Sequence, residues 1–203
     1  MKIYLVRHAK PAIASNIFYG QMDVPLSEEG KAQARITGKI LGRVDFTRII
    51  SSDLSRCVET AMIIKEVMGL KTEIETTPML REVDFGDWTG LGWEQIEERY
   101  PGAFEQRMLN LANFRPPNGE TLLEAHKRAW QVLEEVKQQG LENVLIVGHG
   151  GINRLCLAHG IGLPLQYIFN LGQDYGCINI LECYDDNRMN LLILNLCPST
   201  QGF

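Results

Sequence analysis

The chain has 203 residues, 45% of them hydrophobic and 22% charged, and a formal net charge of −5. This is enough apolar material for a single domain with a sizeable core, and it excludes a disordered chain. The acidic balance excludes a sequence-independent nucleic-acid binder, which needs a basic stripe to displace counterions, and no apolar run approaches the ~20 residues of a membrane span.

Residues 2 to 7, with the run Ile3-Tyr4-Leu5-Val6, read as a buried parallel strand that ends at Arg7 and His8. The stretch from Pro11 to Pro25 reads as a long loop over that strand end, a length usually tied to function. Ser27 is a helix N-cap, with Glu28 and Glu29 in the first turn and Ala32, Ile36, Ile40 and Leu41 as the apolar face. Arg48 to Ser51 is a second strand. A helix then opens near Ser52 or Asp53, buries Val58, Ala61, Met62 and Val67, and stops at Gly69. Lys71 to Glu75 reads as a third strand. The turn-rich Phe85-Gly86-Asp87-Trp88-Thr89-Gly90 introduces an aromatic helical region, a cap-like insertion over roughly 85–118. Thr121-Leu122-Leu123-Glu124 matches a capping box and starts a helix that runs to Gly140. Val144 to Val147 is the fourth strand, followed by His149 and a helix opened by Gly150 and Gly151. Tyr175 to Tyr184 and Met189 to Leu196 form an edge hairpin about Asp185-Asp186-Asn187.

The expected fold is α/β: three layers, with a mainly parallel central sheet, helices on both faces and a small helical cap, all in one domain over 1–203. The five cysteines, Cys57, Cys156, Cys177, Cys183 and Cys197, form no C-x-x-C pair and lie in or beside apolar runs. Reduced thiols in a cytoplasmic protein are expected. Met1-Lys2 runs straight into the first strand, with neither the apolar region nor the cleavage site of a secretory signal. The edge hairpin offers a surface through which two copies can pair as a homodimer.

In an open α/β sheet, ligands bind outside the carboxyl ends of the strands, where Arg7-His8 and Gly148-His149 both arrive. A phosphoryl group needs cations and oriented donors, a nucleophile in line with the leaving oxygen, and an acid to protonate that oxygen. Arg7 and Arg56, the latter in the first turn of its helix, are planar forks suited to phosphate. His8 is the nucleophile, its free ring favoured by the neighbouring arginines. His149 donates to the phosphoryl oxygens and, as a cation, stabilises developing charge. Gly150 and Gly151 open a helix with free backbone donors. Glu82 is the acid, with Asp84 the alternative. His126 and His159 are read as an exposed helix face and a helix end. No metal-ligand motif is present, and neither metal nor cofactor is expected.

Five blocks occur in order: Val6-Arg7-His8; Leu26-Ser27-Glu28-Glu29-Gly30-Lys31-Ala32-Gln33-Ala34; Ser51-Ser52-Asp53-Leu54-Ser55-Arg56-Cys57-Val58-Glu59-Thr60-Ala61; Leu80-Arg81-Glu82-Val83-Asp84-Phe85-Gly86-Asp87-Trp88; and Val147-Gly148-His149-Gly150-Gly151. Together they resemble the histidine phosphatase superfamily, the phosphoglycerate mutase-like group. The resemblance implies that His8 is phosphorylated, that Arg7, Arg56 and His149 complete the phosphate pocket, and that Glu82 is the proton donor. Arg7-His8-Ala9-Lys10-Pro11, Phe18-Tyr19-Gly20-Gln21-Met22-Asp23-Val24-Pro25-Leu26, Pro117-Asn118-Gly119-Glu120-Thr121 and Gln173-Asp174-Tyr175-Gly176-Cys177 are similar to the α-ribazole phosphatase branch. That implies hydrolysis of α-ribazole 5′-phosphate in assembly of the cobalamin lower ligand. Ala9, Lys10 and Pro11 depart from the commoner R-H-G-E-T start. Asn16 stands for the family's phosphate-contacting asparagine, and Asn16, Tyr19 and Gly20 complete the implied substrate-binding set. Tyr19, Trp88 and Trp93 are the aromatic candidates for leaving-group contact.

The expected partner is a small-molecule phosphate monoester. Sugar-phosphate phosphatase and phosphoglycerate mutase are the alternative activities, and an inactive phosphate-binding module is the remote one. The mutases carry longer insertions whose basic residues grip a carboxylate. The Phe85 to Arg115 region looks too short and too poor in basic clusters for that, which favours hydrolysis.

Overall fold

Short extended runs become strands, and those at the centre of the sheet are buried on both faces while those at its two edges are not. In the computed structural model, which describes residues 1–14, 16–186 and 188–198, these are β1 (Lys2–Arg7), β2 (Arg48–Ser52), β3 (Ile74–Thr77), β4 (Asn143–Gly148), β5 (Ile178–Cys183) and β6 (Met189–Leu196). They form a six-stranded sheet in the order β3-β2-β4-β1-β5-β6. The first four strands in that order are parallel, and β5 and β6 add antiparallel at one edge. The helices are α1 (Glu28–Leu41), α2 (Ser55–Met68), α3 (Trp93–Arg99), α4 (Ala103–Leu109), α5 (Leu122–Gln138) and α6 (Gly150–Gly160). None among the described residues is long and apolar enough to cross a membrane.

The twofold period of a strand sorts its side chains between two cores. Ile3, Leu5, Val144 and Ile146 pack with Ala129 and Leu133 of α5 and with Ile152 and Leu155 of α6. Tyr4, Val6, Leu145 and Val147 pack with Leu41 of α1 and with Cys57, Ala61 and Ile64 of α2. Each fully buried aliphatic side chain contributes about 1.5–3 kcal/mol, so the central strands are held from both sides. This packing also sets the site. β1 and β4 are neighbours in a register that pairs Ile3 with Val144 and Arg7 with Gly148, so the residues that follow them, His8 and His149, emerge side by side.

Several expectations shift. On α1 the buried face is Gly30, Ala34, Thr37, Gly38 and Leu41, while Ala32 and Ile40 are exposed. On α2, Arg56, Cys57, Thr60, Ala61 and Ile64 are buried, Val58 is only partly buried, and Met62 and Val67 are exposed. The two helices pack on each other, and Gly38 approaches Val67 and Ile64 so closely that an added Cβ would stand 3.1 Å from the Val67 side chain. Close approach selects small residues over the most hydrophobic ones. α2 starts at Ser55, later than expected, because Asp23 of the 11–25 loop accepts hydrogen bonds from the Ser55 amide and hydroxyl, each 2.7 Å. β3 begins at Ile74, three residues past the expected Lys71, where it enters parallel register with Ile49. β5 begins at Ile178, because Gly176 is a turn at φ +71°. Asn187, part of the expected hairpin turn, lies outside the described residues. His126 and His159 belong to a stack of rings: His159 lies 3.8 Å from Trp130 and 4.7 Å from His126 between centroids.

The cap consists of a short 3-10 turn at Gly86–Trp88, then α3 and α4. Trp88 is fully buried and packs against Phe104 and Phe114, so it is the centre of the cap rather than a leaving-group contact. Gly86 sits at φ +53°, and a Cβ there would fall 2.1 Å from the Pro117 carbonyl oxygen, so only glycine lets the cap close on the 116–119 turn.

Candidate active site

His8 follows β1 and is completely buried; its amide donates to the Gly148 carbonyl at 2.9 Å. The ring Nδ1 lies 2.8 Å from the Ala9 carbonyl oxygen. A carbonyl only accepts, so Nδ1 carries the proton and Nε2 keeps its lone pair. Burial, then the charges of Arg7 and Arg56, hold His8 well below the ordinary histidine range, against the Ala9 bond, which acts the other way. The neutral ring required of a nucleophile is therefore the stable form. Ala9 is fixed in turn by Thr60, whose hydroxyl accepts from the Ala9 amide at 3.1 Å.

Arg7 and Arg56 flank this ring. Arg56 is fully buried and donates to the carbonyls of Met22 at 2.7 Å and Gly20 at 2.6 Å. Arg7 donates to the Gln173 carbonyl at 2.5 Å. The Arg7 head lies 3.9 Å from the centre of the Tyr175 ring, the Arg56 head lies 5.0 Å from that of Tyr19, and the two phenol oxygens are 3.2 Å apart. Burial and Tyr175 push the Tyr19 hydroxyl well up, so it stays protonated. Three buried nitrogens, His8 Nε2, Arg7 Nε and Arg56 Nε, have no hydrogen-bond partner among the described residues. Buried donors and acceptors are rarely left unpaired, and here one lone pair and two cationic N–H groups lie close enough for the arginine charges to act on the ring.

His149, at the end of β4, faces His8 with ring centroids 5.1 Å apart. Its Nε2 lies 2.9 Å from the Ser52 hydroxyl and 3.3 Å from the Cys57 thiol. Burial, followed by Arg56, His8 and Arg7, holds it well below the usual range. Against the expectation of a cationic His149, burial and the neighbouring arginines favour its neutral form.

Glu82 reaches the same place from the other side. One carboxylate oxygen accepts from the Gly151 amide at 3.0 Å, and the other accepts from Val83 at 3.0 Å and Ile152 at 3.2 Å. The expected free donors at the start of α6 are thus not free at Gly151 and Ile152; they hold the acid. Arg128 supports the segment from below: it pairs with Glu120 at 2.6 Å and donates to the carbonyls of Met79 and Glu82. Asp84, the alternative acid, accepts from the Gly86 amide at 2.9 Å and serves the cap turn instead.

A cavity of about 390 Å³ contains Arg7, Glu82, Gly150 and Gly151 on one part of its wall. Phe18, Phe85, Trp93, Ile168 and Phe169 supply an apolar part, and Arg107 and Arg154 complete it. The arrangement offers a nucleophilic nitrogen, cations for an oxyanion, a carboxyl group and a room for an organic group.

The histidine phosphatase superfamily (branch 1) is matched over residues 3–196. The chain belongs to the histidine phosphatase superfamily. It is 30% identical over 198 residues to phosphoserine phosphatase 1 of Hydrogenobacter thermophilus, covering 97% of this chain and 92% of that one. It is 26% identical over 184 residues to the adenosylcobalamin/alpha-ribazole phosphatase of Salmonella typhimurium, covering 90% of each. The native structure of a mycobacterial glucosyl-3-phosphoglycerate phosphatase superposes with a TM-score of 0.85 at 28% identity, over 96% of this chain and 98% of that one. The chain is a phosphatase of this superfamily, and its relatives differ in substrate.

Of the residues expected in this histidine phosphatase's site, Arg7, His8, Arg56, Glu82 and His149 come together. Gly20 contributes its carbonyl to Arg56, and Tyr19 its ring. Gly150 gives close approach: a Cβ there would stand 3.2 Å from Arg7 Nε and from Arg154 Nη1. Asn16 is exposed, its carbonyl oxygen against Gly92 at the cap edge. Tyr175, Ser52, Arg128, Arg107 and Arg154 were not singled out as site residues. Tyr175 had a signal, since it lies beside a glycine turn just before β5, the inner strand of the edge hairpin; the arginines lie on helices, where spacing says nothing about a remote cavity.

Gly151 yields a direct test. A Cβ at Gly151 would stand 2.5 Å from a Glu82 oxygen. Gly151→Ala is expected to displace Glu82 and lower kcat/KM for an alkyl phosphate by about 10- to 100-fold, within the range of general acid catalysis, and for p-nitrophenyl phosphate much less. Steady-state rates on the two esters check it.

Proposed function

We propose that the chain hydrolyses phosphate monoesters through a phosphohistidine on His8. Nε2 attacks phosphorus, the bond from phosphorus to the leaving oxygen breaks, and Glu82 protonates that oxygen. Glu82 then takes a proton from water, whose oxygen attacks phosphorus; the P–N bond breaks, releasing phosphate and the neutral ring. Arg7 and Arg56 stabilise the equatorial oxygens, His149 donates from a neutral ring, and the Ala9 carbonyl supports the positive charge on the phosphorylated imidazole. The observation that carries this reading is the set of three unpartnered buried nitrogens of His8, Arg7 and Arg56.

For the substrate, the sequence motifs support α-ribazole 5′-phosphate, and the aromatic part of the cavity wall suits a flat bicyclic ring. A second reading, a leaving group with its own negative charge, is favoured by Arg107 and Arg154 in the same wall. The free thiols support a reducing compartment, the cytoplasm. The test is kcat/KM with chelator present for α-ribazole 5′-phosphate, p-nitrophenyl phosphate and 3-phosphoglycerate. Turnover of p-nitrophenyl phosphate supports the chemistry. A preference of several orders of magnitude for the ribazole ester supports the cobalamin assignment, and no turnover of any ester sinks the proposal in favour of a binding module.

A further inference from the structure

The cavity that holds Arg7 and Glu82 holds two more guanidinium groups, those of Arg107 and Arg154. Arg107, on α4, and Arg154, on α6, both lie over the Phe169 ring, at 5.7 and 5.9 Å from its centre. Neither forms an ion pair with a carboxylate among the described residues, whereas Arg48, Arg81, Arg115, Arg128 and Arg188 each do. Arg35, Arg43 and Arg99, also without such a pair, are exposed to water, and Arg107 is not. Burial lowers the proton affinity of both cavity arginines; for Arg154 the charge of Arg7 adds to this, while Glu82 and Asp174 act the other way without pairing with it. Two cations drawn out of water beside a third are costly unless an anion joins them.

Arg154 is held in place, donating to the carbonyls of Leu171 at 2.8 Å and Gly150 at 3.1 Å. A Cβ at Gly150 would be 3.2 Å from both Arg154 and Arg7, so these two heads flank one backbone position. Positive charge thus extends from the phosphate pocket into the room for the leaving group. Planar guanidinium forks match a carboxylate in size and hydrogen-bond geometry. Resting on the phosphohistidine reading above, we propose that Arg107 and Arg154 bind a carboxylate on the leaving group, so that the preferred substrates are small phosphate monoesters of hydroxy acids.

The test uses matched esters that differ in the carboxylate: 3-phosphoglycerate against sn-glycerol 3-phosphate, and O-phosphoserine against O-phosphoethanolamine. The wild type is expected to favour the carboxylate member of at least one pair by about 10- to 100-fold in kcat/KM, the range of hydrogen bonds to charged groups. In Arg107→Leu that ratio is expected to fall toward one, chiefly through KM, and Arg107→Lys is expected to recover part of it. Equal kcat/KM within both pairs in the wild type, alongside turnover of p-nitrophenyl phosphate, overturns the carboxylate site and leaves the phosphatase chemistry standing. So does an α-ribazole 5′-phosphate rate above all four esters. Absence of turnover on every ester, p-nitrophenyl phosphate included, overturns the chemistry and this proposal together. The wild-type ratio decides even where Arg107→Leu does not fold.

Discussion

Replacing His8 by alanine is expected to lower kcat by about 10⁴-fold or more on every phosphate monoester, activated or not, since removing a nucleophile costs losses of this order or greater. The ring lies at the junction of the parts that make the site work. Its Nδ1–H is committed to the Ala9 carbonyl, its Nε2 is unpartnered, and burial with two arginine charges keeps it unprotonated. Cys57 cannot substitute. The Cys57 thiol is pushed strongly up by burial and stays protonated, and it already contacts His149. Stopped assays on p-nitrophenyl phosphate, with circular dichroism to verify folding, measure the loss. A variant within about tenfold of wild type would place the nucleophile elsewhere.

Glu82→Gln is expected to reduce kcat/KM for an alkyl phosphate by about 10²- to 10³-fold, and for p-nitrophenyl phosphate far less, because a good leaving group needs little protonation. The geometry sharpens the prediction. Three backbone amides, those of Val83, Gly151 and Ile152, point at the two Glu82 oxygens. A glutamine must turn its NH₂ toward at least one of these donors, so some of the loss reflects a shifted side chain. Glu82→Asp, with both oxygens but a shorter reach, separates the two effects by the ratio of alkyl to aryl rates. Equal loss on both esters in Glu82→Gln would count against a leaving-group acid.

The sequence was most legible where one strong physical requirement acted on adjacent residues. Ile3 to Val6 and Val144 to Val147 are apolar on every side because both faces of the sheet are covered, and this brought His8 and His149 to one rim. Ser27 and Thr121 announced their helices because capping is a local interaction, and the structure has both caps. Helix faces were less legible. Hydropathy favours Met62 and Ile40, yet both are exposed, and at Gly38 α1 comes too close to Val67 and Ile64 of α2 for a larger side chain. The roles of the α6 amides and of Arg107 were illegible for a related reason. Glu82 and Gly151 are far apart in the chain, and only the fold sets the carboxylate on that helix start. Arg107 sits in a segment that looked poor in basic clusters, and its cluster forms only with Arg154 from another helix across Phe169.

The central claim is that phosphate passes through His8, and rapid acid-free quench of the enzyme during turnover of a ³²P-labelled phosphate monoester tests it most directly. The expected result is a protein-bound label that is stable in alkali, labile in acid, mapped to the peptide containing His8, and formed and lost at rates that account for kcat. Turnover at the normal rate with no such label at any quench time, and direct displacement by water shown by inversion at a chiral phosphorus, would contradict it.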